Sequence, residues 1–510
     1  VSVGQDRQPS LPEEIGSNPL RTIPLRDLTI AGLFIVATFV GFALGFAASG
    51  FLPGRYAYLS AYLPFIGGVA AAAILLVFLK PKWVFLTSVV FCVTYPDAFN
   101  EIFVPLGFMK LYIQDVFLAF NMSYILLRLI FGKATHRKIP FNKFVFLYLA
   151  LGAFSAFNGL VLNGNPYDKV FGDVRRAFAY FLSYFFVLYT IDNEAERVRF
   201  RNLLLVACAA VIGKGIFQAL TGRFYYRRLG DAAHILSHYE LTFLSFGVFY
   251  MLARVFFEAK PRFSPLAYAF AGIITTIVGN YRASWLGLAA GLFLLFLFLP
   301  MKRRLQLTGI IAGLMVLTAL TIYALWDVEV IEHSTLGQEI MAKADVRNTT
   351  LDINVVWRFD SYRATLEYWR QHPWLGCGLG TIVDFATITT RGTPYLALDH
   401  RVHNSFLWLF MTQGLIGFPI AMSLHIAFLV YTLRYVRTST WPEGKATVLA
   451  CAAYAVSMLT SAGFEIFLEA GAPITVYSAV LGLGVLTIDE AKKREAQATE
   501  PDTPQVAAAL

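Results

Sequence analysis

A chain of 510 residues that is 57% hydrophobic and only 15% charged, with a mean hydropathy of +0.59, does not have the composition of a soluble globule and reads as an all-α polytopic membrane protein. Its formal net charge of +9 then concerns topology and anionic headgroups, so membrane lipids are the implied partners and nucleic acid is not. The four cysteines (Cys92, Cys208, Cys377, Cys451) are scattered, with no CxxC or Cys/His spacing, so neither a metal nor a disulfide framework is expected.

In chain order, residues 1–27 are polar, lack a short apolar core followed by a small-residue cleavage site, and read as a cytoplasmic tail before a retained first span. At roughly 20 apolar residues per span, fourteen candidates follow. They centre near Phe39, Val69, Val89, Ala119, Gly152, Leu182, Ala210, Phe246, Ile273, Phe293, Met315, Ala421, Ala455 and Val480. The third and the Ile273/Phe293 pair are short, which gives about 12–14 transmembrane helices. About eleven lie within 28–325 and three within 404–488, and residues 489–510 form a second cytoplasmic tail expected to be disordered. Alternate connections carry "KPK", "GKATHRK", "ERVRFR", "EAKPR", "KRR" and "RYVR", and the tail adds "KKR". All fall on one side when there are fourteen spans, which places both termini in the cytoplasm by the positive-inside rule.

The same parity puts the one long connection, 326–403, outside the cytoplasm, and a loop of this length is usually functional. Within it, "WRFDSYRATLEYWRQHP" places Phe359, Tyr362, Leu366 and Trp369 at helical spacing, and Pro373 ends the helix. This helix lies on the membrane surface, lids a site, or does both.

Against that orientation several arginines stand on the wrong side. Arg175 and Arg176 ("GDVRRAF"), Arg223, Arg227 and Arg228 ("GRFYYRRLGD") and Arg282 ("GNYRASWLG") all fall at non-cytoplasmic span ends, where the charge rule predicts depletion. Arginine, with its planar fork of donors, grips two phosphate oxygens at once, so these positions point to a shared external pocket for a phosphorylated lipid or sugar carrier. Any one of them taken singly can equally snorkel to headgroups. Arg282 is the sharpest case, because it sits in a break between two short apolar runs, and broken helices at membrane depth are tolerated mainly where they line a cavity.

The long loop ends "LDHRVHNSFLWLFMTQGLIGFP". His403 is either an interfacial histidine with no task or a general base, Asp399 and His400 are close enough in sequence to orient it, and Asn404 or Ser405 is placed to cap the next helix. "GCGLG" (376–380) has the outline of a phosphate loop but follows no strand and lacks the P-loop lysine, so it reads as a tight turn after Pro373. Glu465 and Glu469, at an external span end, either bind a sugar hydroxyl or are simply solvated, and solvation is the favoured reading.

The order "RASWLG", "HPWLGCGLG", "HNSFLWLFMTQGLIG", with the large loop before the last, resembles the bacterial O-antigen ligase and O-antigen polymerase superfamily, most closely over about 270–420. The resemblance implies a glycosyltransferase of the membrane-embedded C type (GT-C), in the bacterial inner membrane with its active site facing the periplasm. It implies a donor glycan on undecaprenyl pyrophosphate, lipid A-core as the acceptor if the chain is a ligase, and no cofactor. In that picture Arg282 is catalytic and, with Arg228, binds pyrophosphate, and the charge argument adds Arg227, Arg175 and Arg176 as pyrophosphate-binding candidates. His403 deprotonates or orients the acceptor hydroxyl, and Asn404, His400, Asp399 and Arg358 bind the acceptor or support the base. Polymerase and protein-glycosylating branches share these motifs, and a lipid-linked oligosaccharide transporter is the alternative of another class. The chain departs from the family pattern at "YRAS", where Ser-Arg-Gly is more common.

Overall fold

The computed structural model describes residues 88–94 except 91, 103–105, 110–132, 137, 139–221, 234–257, 263–279, 281–299, 301–306 with a few helical positions up to 316, 353–388, 394–399 and 402–499. All belong to the second of two compact units, Phe85–Leu510. The first two expected spans, the N-terminal tail and the loop from 317 to 352 lie outside the described residues.

The protein is predominantly helical. After a small antiparallel hairpin, β1 (Phe103–Pro105) and β2 (Lys110–Tyr112), come α1 (Ile113–Ile130), α2 (Asn142–Phe157), α3 (Tyr167–Asp173), α4 (Ser183–Thr190), α5 (Glu194–Thr221), α6 (His238–Phe257), α7 (Phe263–Val278) and α8 (Arg282–Phe298). The connection between α8 and α10 contributes α9 (Ile353–Gln371) and a second antiparallel hairpin, β3 (Val383–Ile388) with β4 (Pro394–Asp399), before α10 (Ser405–Thr438), α11 (Pro442–Ala462) and α12 (Gly471–Thr499). Helix α9 ends two residues before Pro373, as proline's lost N–H requires. The hairpin β3–β4 was not visible in the apolar periodicity.

Six of the described helices are long and apolar enough to cross a membrane: α2 with its continuation, α5, α6, α10, α11 and α12; α7 and α8 are shorter. Their burial separates centre from rim. The most apolar stretch of α12 is wholly buried and most of that in α6 and α11 is too, whereas only a third of that in α10 is. A helix apolar all round belongs inside or in lipid; here α6, α11 and α12 form the centre and α2 and α10 face outward.

Helices α8 and α11 pack closely and antiparallel because small residues recur every fourth position. Ser461 Oγ donates to the Ala283 carbonyl at 3.0 Å. Gly287 lies against Ser457 and Ser461, and Gly291 against Phe249 and the Ala453 carbonyl, with no room at either glycine for a Cβ. Without a hydrophobic drive between helices in lipid, this close backbone approach supplies the packing energy. It also brings the N-terminal end of α8, with Arg282, to the end of the bundle where α11 gives way to Glu465.

At the opposite end, charged connections gather. Arg197 is fully buried and pairs with Glu490 at 2.6 Å, Arg201 pairs with Glu443 at 2.6 Å, Arg137 with Asp489 at 3.1 Å, and Arg494 with Glu194. Four of the basic stretches expected on one side are thus together: those around 137, 197–201 and 494 by direct pairing, and 434–437 by chain continuity into Glu443.

The expected span near Leu182 is not one uniform helix. It runs as α3, a π-helical turn Val174–Phe178, a 3-10 turn Ala179–Leu182 and then α4. Single π turns inside helices are frequent at functional sites, and this one carries Arg175 and Arg176.

Candidate active site

Two motif segments distant in sequence hold each other in place. Helix α10 breaks at Gly414, whose φ of 65° and ψ of −171° are not helical. Such a break would leave backbone groups unpaired, and the "PWLGCGLG" segment supplies their partners. Leu415 N–H donates to the Pro373 carbonyl at 2.9 Å and Ile416 N–H to Trp374 at 3.2 Å, while the N–H groups of Cys377 and Gly378 donate to Met411 and Thr412 at 2.9 and 3.1 Å. Gly376, Gly378 and Gly380 all have positive φ and lie directly on neighbouring backbone, a placement only glycine tolerates. Asn158 Nδ2 donates to the carbonyls of Leu375 and Gly376, and Asn165 Nδ2 to those of Cys377 and Leu379. The segment read as a tight turn is therefore also a clamp, tying the connection that holds α9 and the β3–β4 hairpin to α2 and α10.

The clamp fixes the start of α10. Asn404 is its N-cap, with the side-chain oxygen accepting from Leu407 N–H at 3.0 Å, a standard capping role. Ser405 Oγ donates to the Glu465 carbonyl at 3.1 Å and accepts from the N–H groups of Phe467 and Leu468. Immediately before it stands His403.

His403 Nδ1 lies 3.0 Å from Glu465 Oε2, and the second oxygen of Glu465 accepts from Arg358 at 2.5 Å. Arg358 also donates to the Phe464 carbonyl at 2.7 Å, Tyr362 OH donates to the His403 carbonyl at 2.7 Å, and Trp357 meets the imidazole edge-on with centroids 5.2 Å apart. Burial pushes the Glu465 carboxyl up, but the His403 hydrogen bond and the Arg358 guanidinium outweigh it and hold the group at about 2. An ionised carboxylate only accepts, so neutral His403 carries its proton on Nδ1 and presents the Nε2 lone pair. The imidazole is 35% exposed, which leaves it open to a ligand.

This corrects the expectation that Glu465 and Glu469 are solvated. Glu465 is 8% exposed and Glu469 fully buried; the short loop after α11 folds inward because Ser405 and Arg358 bond its backbone. Arg358 lies beside the histidine, both bonding Glu465. Asp399 forms the end of β4, opposite Val383, but its side chain lies outside the described residues, as do His400, Arg223, Arg227 and Arg228.

Arg175 and Arg176 do face a pocket. They line a cavity of about 130 Å³ together with Tyr112, Gln114, Tyr180, Tyr239 and the backbone at 470–471. Arg175 pairs with Asp115 at 3.0 Å and lies over the Tyr112 ring; Arg176 pairs with Asp173 at 3.2 Å. The cavity and the histidine are linked through aromatic rings. Tyr239 meets Phe467 edge-on at 5.5 Å, and its neighbour His238 meets Phe467 at 5.6 Å and Tyr281 at 5.5 Å. His238 in turn lies within electrostatic reach of Glu465, His403 and Arg358. Arg282, half-buried, is the first residue of α8, directly after that same Tyr281.

Sequence reasoning missed His238 and Tyr239, although a signal was present: "SHYE" is a capping box, in which Ser237 and Glu240 bond each other's backbone N–H groups. Among the described residues no three His, Cys, Asp or Glu gather as a metal site.

Residues 267–422 match the family model described as O-antigen ligase. That region is similar to the O-antigen ligase superfamily. It contains Arg282, Arg358, the glycine clamp, His403 and Gly414, and supports an O-antigen ligase or polymerase type of function, a glycosyltransferase-like enzyme acting on lipid-linked glycans at a membrane. Glu465 and the arginine cavity lie beyond the matched stretch. No curated protein matches the chain.

Proposed function

We propose that this protein is an O-antigen ligase that transfers a glycan from undecaprenyl pyrophosphate to a sugar hydroxyl of lipid A-core at the periplasmic face of the bacterial inner membrane, on a GT-C scaffold with both termini cytoplasmic. The observation that carries this reading is the His403–Glu465–Arg358 array. Glu465 holds the imidazole in the tautomer that accepts a proton at Nε2, and such a base contributes about 10² to 10⁴ in rate.

In the reaction the acceptor oxygen bonds to the anomeric carbon as its proton passes to His403 Nε2. The bond from that carbon to the pyrophosphate oxygen breaks, and a single displacement inverts the centre. The electron pair leaves on undecaprenyl pyrophosphate. Arg282, with Arg175 and Arg176 at the cavity and Arg227 and Arg228 in the preceding connection, stabilises that charge in a partly dehydrated site, where fixed cations act more strongly than in water. Gripping the pyrophosphate needs neither metal nor nucleotide.

The test gives purified protein an undecaprenyl-pyrophosphate oligosaccharide with and without lipid A-core and reads the products by mass. Intact-block transfer only with the core supports the ligase. Donor lengthening without the core makes the protein a polymerase. Arg282→Ala and His403→Ala are expected to abolish transfer while leaving the folded fraction unchanged; wild-type turnover in both, well folded, refutes the mechanism.

A further inference from the structure

The two arginines that line the cavity do not enter it as bare charges. Arg175 Nη1 lies 3.0 Å from Asp115 Oδ2, and that carboxylate also accepts from Tyr180 OH at 2.7 Å and from Tyr112 N–H at 2.8 Å. Arg176 Nη2 lies 3.2 Å from Asp173 Oδ1, whose other oxygen accepts from Gly380 N–H at 2.9 Å. Asp173 has no exposed side-chain surface and Asp115 only 13%. Each cavity cation thus has its own anion, held from behind by bonds to a different part of the protein: the end of β2 for one, the glycine clamp for the other.

We propose that Asp115 and Asp173 are positioning residues that set how tightly the cavity holds the leaving pyrophosphate, and that they act through Arg175 and Arg176 to make product release possible. The proposal rests on the reading of the cavity as the pyrophosphate site. Two unbalanced guanidinium groups in a partly dehydrated pocket attract a pyrophosphate strongly both before and after glycan transfer, and such uniform binding does not raise turnover. With a carboxylate behind each, the pair of arginines is balanced when empty. The fork geometry remains for orientation while the net attraction falls.

The bland reading is that the carboxylates only make two buried cations tolerable. The two readings predict opposite behaviour when one charge is removed without removing its hydrogen-bond acceptor. Asp173→Asn retains an oxygen for Gly380 N–H. A unit charge some 5 Å behind a cation, at an effective dielectric of about 20, weakens anion binding by roughly tenfold or more.

The experiment uses the full chain in detergent and titrates it with inorganic pyrophosphate, following the tyrosines and tryptophans by fluorescence, beside steady-state transfer. In Asp173→Asn, pyrophosphate is expected to bind on the order of tenfold more tightly than to wild type. Both kcat and the donor KM fall, and the salt dependence of binding steepens. Asp115→Asn, at the other arginine and away from the clamp, is expected to behave the same way and carries the test if Asp173→Asn does not fold. Unchanged or weaker pyrophosphate binding in the folded aspartate variants overturns the proposal. Arg176→Ala separates the two levels. If it loses pyrophosphate binding while the aspartate variants are unaltered, the cavity reading stands and the proposal fails; if it binds as wild type, the cavity reading itself fails.

Discussion

Replacing Glu465 by Gln tests the centre of the site, because one side chain there holds both the imidazole and the guanidinium. In the wild-type protein Glu465 titrates at about 2 instead of 4.5. At about 1.4 kcal/mol per unit, that depression corresponds to roughly 3 kcal/mol of preferential binding of the ionised form. Because the folded-state value lies below the unfolded one, this stabilisation is fully present above pH 4.5. It is lost as the pH falls from there through 2. The variant therefore unfolds at lower temperature than wild type at neutral pH, and the difference narrows as the pH is lowered across that window. The catalytic effect is separate. A glutamine amide either donates to or accepts from Nδ1, so the tautomer with a free Nε2 lone pair is no longer enforced. We expect kcat to fall by about 10² to 10⁴, the range attributable to a positioned base, with the donor KM little changed. Melting followed by tryptophan fluorescence from pH 2 to 7, beside the mass-resolved transfer assay, measures both. Wild-type kcat in a folded Glu465→Gln protein refutes the role of the carboxylate, and an unchanged pH dependence of melting refutes the electrostatic argument.

Two further substitutions test the scaffold. Gly376→Ala places a Cβ against the Thr412 and Gly414 backbone at a φ of 71°. It is expected to cost at least the 1 to 2 kcal/mol of left-handed strain and to release the clamp, read as faster proteolysis of the segment from α9 to β4. Gly287→Val forces α8 away from Ser457 and Ser461 by the overpacking mechanism that typically costs about 1 to 3 kcal/mol; a lowered melting temperature together with lost transfer is expected, since the same contact carries Arg282 towards Glu465.

The membrane class, most of the long helices and the end of α9 before Pro373 were legible because they rest on local terms: apolar run length, period and proline chemistry. The arginine pair at 175–176 was legible because it violated the charge rule. Glu465 was not, since a carboxylate at a span end has the same sequence signature whether it faces water or a buried arginine. What distinguishes the two is Arg358, 107 residues earlier in the chain, and no periodicity reports a contact at that separation. The glycine segment was half legible. Its turn was legible from Pro373 and the glycines, but the partner it needs, a helix broken at Gly414, lies in a different span, and no local pattern reports that contact.

The irregularities of the bundle are also related to one another. The π turn at 174–178, the interruption between α7 and α8 and the kink at Gly414 each depart from a regular helical ladder, and a backbone group left unpaired in lipid costs several kcal/mol. Two of them carry or precede candidate arginines: Arg175 and Arg176 lie in the π turn and Arg282 opens α8. The break is spanned by Trp285 Nε1 donating to the Thr276 carbonyl at 3.0 Å, with His234 stacked on Tyr281; the kink is filled by the clamp; and the π turn is backed by Asp173, which reaches that same clamp through Gly380. Uniform helices would present side chains only along their stripes. Interrupting them lets arginines from the 175–176 turn and from the start of α8 approach an end of the bundle where the connection before α10 brings its histidine. The clamp meets the kink at Gly414 directly and the π turn through Asp173. Loosening it should therefore disturb the cavity and the base together, which is why the glycine substitution is a test of catalysis as much as of stability.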